Sequence, residues 1–441
     1  MVEIILPPES TSFEKKRAKR QPGPSVADFS PARQAGSKAA FVTRRVPSTA
    51  MRTLISGPMR PRTGDLVLAR VDRLGYQTRL ELTSGRKASL HLGDEVILAY
   101  GDRYATDQFE AEVPPDLGPT NLVATGGVAS RMLSRFKGLR TATCITPLGL
   151  IGDAHGVPLN LSQFAFLPQM PPEVRPRIIV VLGTSMNSGK TTINRQLVSG
   201  LSRAGRRPGA GKVTGTGSGG DFWVMADAGA HAVADFTDAG YASTYKIPTD
   251  LLEKAAVDLV THLSSQGCGV ILLEIADGLL HQQNIELLQT DFFRTFVDGV
   301  MFAACDSMGA VLGVSQLQAL GVPVLGVSGS FTASELLVKE AARACSAPIY
   351  TKEELADPVR AIEIIGLTTD AAAPPPPPPI ETFNPALYYV GYRDRRSRDA
   401  RDLKAGQWRG KERRLKGLNG FHVDDFGITE AAVYPSASIA P

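Results

Sequence analysis

The stretch Ile178-Ile-Val-Val-Leu-Gly-Thr-Ser-Met-Asn-Ser-Gly-Lys-Thr-Thr192 decides how this chain is read. Its opening apolar run, Ile178 to Leu182, predicts a parallel strand buried on both faces. A glycine-bounded loop follows, and a helical pattern then runs over 191–204. A loop held between a buried strand and a helix converges backbone N–H groups and the positive helix end on one point, which favours phosphate oxygens. In that setting Lys190 is expected to reach the terminal phosphates and Thr191 to place its hydroxyl on Mg²⁺. Gly183, Thr184, Asn187, Ser188, Gly189 and Thr192 complete the expected cradle. The cofactors so implied are a nucleoside triphosphate and Mg²⁺.

Beyond this loop, buried-strand candidates recur at 269–273, 299–304 and 323–327, with helical stretches at 250–264 and 334–344 between or after them. Alternating strands and helices predict a parallel α/β sheet wound by right-handed crossovers. The region before 170 reads differently. Leu66-Val-Leu-Ala-Arg-Val71, Arg79-Leu-Glu-Leu82, Lys87-Ala-Ser-Leu-His-Leu92 and Glu95-Val-Ile-Leu-Ala-Tyr100 are short β-like runs with Gly-containing turns. Such spacing predicts a small barrel or sandwich, with a helical stretch near 127–136. The expected fold is therefore α/β: a parallel-sheet P-loop domain at 173–368, preceded by a small β-rich domain at 63–170. Pro168-Gln-Met-Pro-Pro172 marks the junction between them. Residues 1–62 are expected to form a disordered basic arm, 369–380 a polyproline linker and 381–441 a basic, largely disordered tail.

The 441 residues carry a net charge of only +4, yet residues 1–62 hold twelve Lys and Arg against four Asp and Glu. Such arms can touch nucleic acid, although a solubilising tail is the favoured reading. The four cysteines are scattered and form no Cys-x-x-Cys pair, so neither a zinc site nor a disulfide framework is expected. No apolar run approaches a membrane span, and nothing resembles a secretory signal, so the expected compartment is the cytoplasm.

The glycine at 183 stands one position earlier than the usual P-loop spacing. A Gly-Thr-x-x-x-x-Gly-Lys-Thr loop resembles dethiobiotin synthetase and its relatives, the SIMIBI branch that includes ATP-dependent ligases and amidases. Lys212-Val-Thr-Gly-Thr-Gly217 is similar to that family's Lys segment, and Val270-Ile-Leu-Leu-Glu274 to its strand ending in a carboxylate. The resemblance implies that Lys212 holds phosphate and substrate oxyanions and that Glu274 helps bind Mg²⁺. It also implies a second acidic metal ligand, for which Asp221, Asp227 and Asp235 compete, Asp221 being the chosen candidate. The chain resembles equally a group of bacterial P-loop proteins that includes D-glutamate N-acetyltransferases, through Thr214-Gly-Thr-Gly217, Ala234-Asp-Phe236 and Leu273-Glu274.

These readings make Lys190, Lys212 and Glu274 the expected catalytic residues. Thr191, Glu274 and Asp221 become the expected metal ligands, and Thr214, Gly215, Thr216 and Asp235 the expected substrate residues. The Asn-Lys-x-Asp guanine signature is absent, so ATP is the expected nucleotide. Three functions follow: ATP-dependent activation of a carboxylate or similar oxyanion, acyl transfer from an acyl-coenzyme A, or a nucleotide-dependent switch or assembly factor. The expected partners are the triphosphate, a small-molecule substrate or a protein, and a second copy of the chain, with no membrane.

Overall fold

The computed structural model describes residues 23–166 and 175–367. The expected polyproline linker, the basic tail and the first part of the basic arm lie outside these residues.

The first half is built on a closed ring of strands. Thr143–Gly152 pairs with Leu66–Arg73, which pairs with Glu95–Tyr100, and that strand meets Val128–Arg135. Thr120–Ala124 then bridges Val128–Arg135 back to Thr143–Gly152, so the sheet closes on itself as a small barrel. Closure removes exposed edges and lets the inward residues form one core, among them Leu66, Leu68, Leu98, Val128 and Ile145. The barrel reading was legible in the short β-like runs, but two expectations need correction. Residues 128–135 are a strand, not a helix: a turn at Gly126-Gly127 folds them back on Thr120–Ala124. Residues 23–62 are folded rather than disordered. They contain a strand at Ser25–Asp28, a helix at Pro31–Gly36 and a strand at Thr53–Ser56 that joins the barrel sheet.

The second half is a six-stranded sheet in which every pairing is parallel. Its spatial order is Ala232–Asp235, Pro208–Lys212, Val270–Glu274, Arg177–Gly183, Gly299–Ala303 and Val324–Ser328. The Arg177–Gly183 strand is central and alternates its side chains between two cores. Ile178, Val180 and Leu182 face the helix Thr249–Ser265 and its neighbours, whereas Ile179 and Val181 face the helix Lys190–Arg203. This two-sided burial is why its sequence is continuously apolar. Among the described residues no helix is long and apolar enough to cross a membrane.

The two halves meet over the carboxyl ends of this sheet. Gly126 lies so close to the backbone of Gly217 that a Cβ added there would stand 2.2 Å from the Gly217 carbonyl oxygen, so only glycine fits. Arg44 is the buried keystone. Its guanidinium pairs with Asp235 and Asp238 and sits 4.0 Å from the Phe41 ring centroid. Phe41 in turn packs edge-on against Phe222 and Trp223. At the far margin, Phe166 stacks on His262 with centroids 4.0 Å apart.

That stacked imidazole should give the interface a pH dependence. Burial, with the Arg45 charge nearby, pushes His262 down from the usual histidine value of 6.5 to about 4. Between those values the unfolded chain binds a proton that the native state does not, so stability should fall as pH drops from 6.5 to 4. After allowing for partial exposure, the loss should be about 1–3 kcal/mol. Denaturant unfolding at several pH values should show this slope in the native sequence and a flatter one in His262→Gln. Equal slopes would exclude His262 as its source.

Candidate functional site

The loop after the central strand has the shape its sequence implies. Gly183 ends the strand, and a Cβ there would stand 2.4 Å from the Ser188 hydroxyl and 2.8 Å from the Ala303 carbonyl. That crowding explains the early glycine: the loop folds back over its own strand end. Thr184 N–H donates to the Ala303 carbonyl, which anchors the loop to the next strand. Asn187 and Gly189 both adopt positive φ, 60° and 104°, and Gly189 stands at the N-cap of the helix Lys190–Arg203. No side chain caps that helix end. Its free N–H groups therefore remain available to an anion.

Lys190 folds back across the loop and donates to the Ser185 carbonyl at 2.6 Å. Burial lowers its pKa from the ordinary lysine value, opposed by the charge of Glu274. Among the described residues the ammonium has no carboxylate within ion-pairing distance, which leaves it available for an incoming oxyanion. The Ser188 hydroxyl is buried with no hydrogen-bond partner among the described residues. Cys305 faces the loop through Thr184 and Ser185, 3.6 and 3.5 Å from their hydroxyls, while Asp306 caps the next helix by accepting from Gly309 N–H.

Beside the loop, two strand ends and the first turns of two helices bring the expected metal and oxyanion residues into one cluster. Lys212 and Glu274 stand in register at the ends of adjacent strands. Lys212 Nζ pairs with Asp221 and lies 3.4 Å from Glu274 Oε1. Thr191 Oγ1 donates to Asp221 Oδ1 at 3.2 Å. Burial would raise Asp221, but the Lys212 ammonium and its hydrogen bond outweigh it and hold the carboxyl below the usual aspartate value. Burial dominates at Glu274 and pushes it up against the pull of Lys212. Glu274 Oε2 is buried without a hydrogen-bond partner among the described residues.

A hydroxyl and two carboxylates, one with a spare buried oxygen, are hard donors suited to Mg²⁺. They are an incomplete set, because no group of three or more His, Cys, Asp or Glu among the described residues could hold an ion unaided. Phosphate oxygens or water would have to complete the coordination, which is the usual arrangement for this ion.

The structure divides the expected substrate residues. Thr214, Gly215 and Thr216 line a cleft with Tyr104, Tyr245, Asp277 and His281. Asp235 is not among the residues lining it; it is consumed by Arg44 and by hydrogen bonds from Thr237. Spacing alone could not show that an arginine some 190 residues earlier would claim it. Asp227, the other competitor, is the last residue of the helix Gly220–Asp227, whereas Asp221 lies in its first turn, facing Thr191.

The cleft also contains groups that the sequence reading passed over or left open. Asp277 sits in left-handed backbone, φ 61°, in the turn after the Glu274 strand. Asn284 holds that turn by donating to the Ala276 and Gly278 carbonyls, both at 2.9 Å. Burial raises the Asp277 carboxyl, opposed first by Lys190. His281 packs against Tyr104, with centroids 4.5 Å apart, and burial lowers its pKa.

Tyr104 comes from the barrel half, whose hairpin Arg103–Tyr104 and Phe109–Glu112 leans over the loop. Asp107 on its turn accepts from Asn187 Nδ2 at 2.7 Å. Arg103 is buried with Nε and Nη1 unpartnered among the described residues, and burial lowers it to about 10. Glu81, also from the barrel, accepts from Gly219 N–H at 2.8 Å and so fixes the glycine-rich segment after Lys212.

No family model and no curated protein sequence matches the chain. Among solved structures it is similar to the signal recognition particle 54 kDa protein of Aeropyrum pernix K1 in complex with GDP. That match has 18% identity and a TM-score of 0.32, and it covers 47% of this chain and 50% of that one. It is also similar to the signal recognition particle receptor FtsY of Elizabethkingia anophelis in complex with GDP, at 18% identity and a TM-score of 0.32, covering 46% and 67%. For the cell division protein FtsY of Thermotoga maritima the identity is 14% and the TM-score 0.29, with 46% and 74% covered. The chain thus spans half the length of the first of these proteins.

Proposed function

We propose that the chain binds ATP with Mg²⁺ and uses it to activate a carboxylate or similar oxyanion held in the cleft beside the P-loop. The observation that carries this reading is adjacency: a Cβ on Gly278, in the turn bearing Asp277, would stand 2.3 Å from the Thr184 carbonyl of the loop. An acceptor in the cleft would therefore lie next to the terminal phosphate. The acceptor oxygen attacks the γ-phosphorus, the bond to the bridging oxygen breaks, and ADP leaves with that electron pair. Lys190 and Lys212 would offset charge on the transferred group, the largest service a protein gives such a loose transition state. Thr191, Asp221 and Glu274 would hold Mg²⁺, which neutralises the phosphates when bound. Thr214, Gly215 and Thr216 would orient the acceptor.

Calorimetric titration of the full chain with ATP, GTP and acetyl-coenzyme A in Mg²⁺ tests the reading. ATP binding with turnover stimulated by a carboxylate supports it. Preference for GTP would move the base assignment to guanine. Binding of acetyl-coenzyme A without any triphosphate would replace the reading with the acyltransferase one. Glu274→Gln should leave ATP affinity within a few-fold but cut turnover by roughly a hundredfold or more. Undiminished turnover would mean that another carboxylate holds the metal.

A second reading has its own support. Asp107 on Asn187 and Glu81 on Gly219 tie the barrel to the two backbone segments that would change on nucleotide binding. This is the arrangement a nucleotide-dependent switch would need. ATP binding with turnover only on addition of a protein partner would favour it over the enzyme.

A further inference from the structure

We infer that Lys212 is the resident counter-cation of the metal position, so that Mg²⁺ enters together with a triphosphate and not alone. The inference rests on the P-loop reading, but its first test needs no nucleotide.

The Lys212 ammonium stands among the oxygens that would ligate the metal. It pairs with Asp221 and lies 3.4 Å from Glu274 Oε1, while Thr191 Oγ1 is 3.2 Å from the same Asp221 carboxylate. Two neighbouring carboxylates are costly to bury without a cation between them. The lysine meets that need with a single charge, and it does so imperfectly. Glu274 Oε2 and Asn194 Oδ1 both lack a hydrogen-bond partner among the described residues, and both residues line the same small cavity beside Lys212. An ion of higher charge and coordination number would suit these oxygens better than an ammonium does.

The charges decide when the exchange can occur. Without nucleotide, Lys212 and the nearby Lys190 already offset much of the charge of Asp221, Glu274 and Asp277, so a bare dication gains little from the carboxylates. It would also have to strip Lys212 of both carboxylates and leave a partly buried ammonium unpaired. A triphosphate changes both terms. It brings its own negative charge to complete the metal's coordination, and it offers the flexible lysine a new set of oxyanion partners. Thr191, Asp221 and Glu274 would then be free to hold Mg²⁺ as Lys212 moves onto phosphate. One lysine thereby serves the carboxylates in one state and the phosphates in the other.

The test is Mn²⁺ binding to the nucleotide-free full chain, read from the free-ion signal in electron paramagnetic resonance. The native protein should hold Mn²⁺ no better than millimolar, and Lys212→Met should bind it at least about tenfold tighter. A non-hydrolysable ATP analogue should bring the native protein to micromolar Mn²⁺ affinity. Tight Mn²⁺ binding by the native protein alone would overturn the inference, as would equal affinities in native and variant.

If Lys212→Met folds poorly, its melting temperature should rise with Mg²⁺ while that of the native chain stays flat. A flat response in both overturns the inference too. Failure of ATP to bind the native chain would instead remove the P-loop reading and leave the nucleotide-free comparison standing.

Discussion

Lys190→Ala should lose ATP affinity by about two to three orders of magnitude, the cost of removing a buried cation from its oxyanion partner. The stability of the nucleotide-free protein should not fall with it. Lys190 is buried, its ammonium donates to the Ser185 carbonyl oxygen, and burial already disfavours its charge. Removing an ammonium that the native state desolvates without a close carboxylate relieves a cost, although Glu274 loses part of a favourable field. The melting temperature should therefore hold or rise slightly while binding collapses. Calorimetry and a thermal melt on the same preparation check both halves. Retained affinity would remove the phosphate-binding assignment, and a large drop in melting temperature would mean that Lys190 is a structural cation.

Arg44→Met should have the opposite profile, with a severe loss of stability. The Arg44 side chain is 1% exposed, and its guanidinium lies between Asp235 and Asp238, themselves 4% and 9% exposed. Truncating it leaves Asp235 buried without a counter-ion and Asp238 with only the more distant Arg45, at 3.9 Å, which costs about 3–5 kcal/mol. That is a large share of the about 5–15 kcal/mol that holds an ordinary domain together. The aromatic contact with Phe41 adds to the loss. Changing Asp235 and Asp238 to Asn in the same chain should restore much of it, because the penalty is the orphaned charge and not the missing contact. Denaturant midpoints of the native, single and triple variants measure this. A single variant within about 1 kcal/mol of native, or no recovery in the triple, would refute the keystone role.

How much of this was legible from the sequence follows from where each signal resides. The P-loop strand, loop and helix announce themselves because burial on both faces forces a continuous apolar run, and because phosphate geometry dictates Gly189 and Lys190. Lys212, Asp221 and Glu274 were legible as residue types; the sheet order sets the strands of Lys212 and Glu274 side by side, and the helix Gly220–Asp227 brings Asp221 to them. Residues 23–62 were misread because Ser25–Asp28 is held by backbone pairing with all four side chains exposed, so no hydrophobic alternation betrays it. Arg44 looked like one more basic residue in a basic stretch, since nothing local shows that its charge is answered from Asp235. Asp277 reads from the sequence only as part of the turn after Glu274, and Tyr104 not at all, because their meeting depends on how a barrel hairpin rests on a sheet edge, not on any local pattern.

The keystone at Arg44 bears on how the molecule can be dissected. A fragment beginning at residue 175 would carry the whole phosphate loop yet leave Asp235 and Asp238 without their counter-ion and Phe222 and Trp223 without Phe41. It would also leave Ala242 outside the barrel core to which it belongs. Such a piece would behave as an aggregation-prone half, and its inactivity would say nothing about the chemistry of the loop. Co-expression of the two pieces as separate chains is the informative experiment, because the surfaces they must rejoin are already complementary in charge and shape.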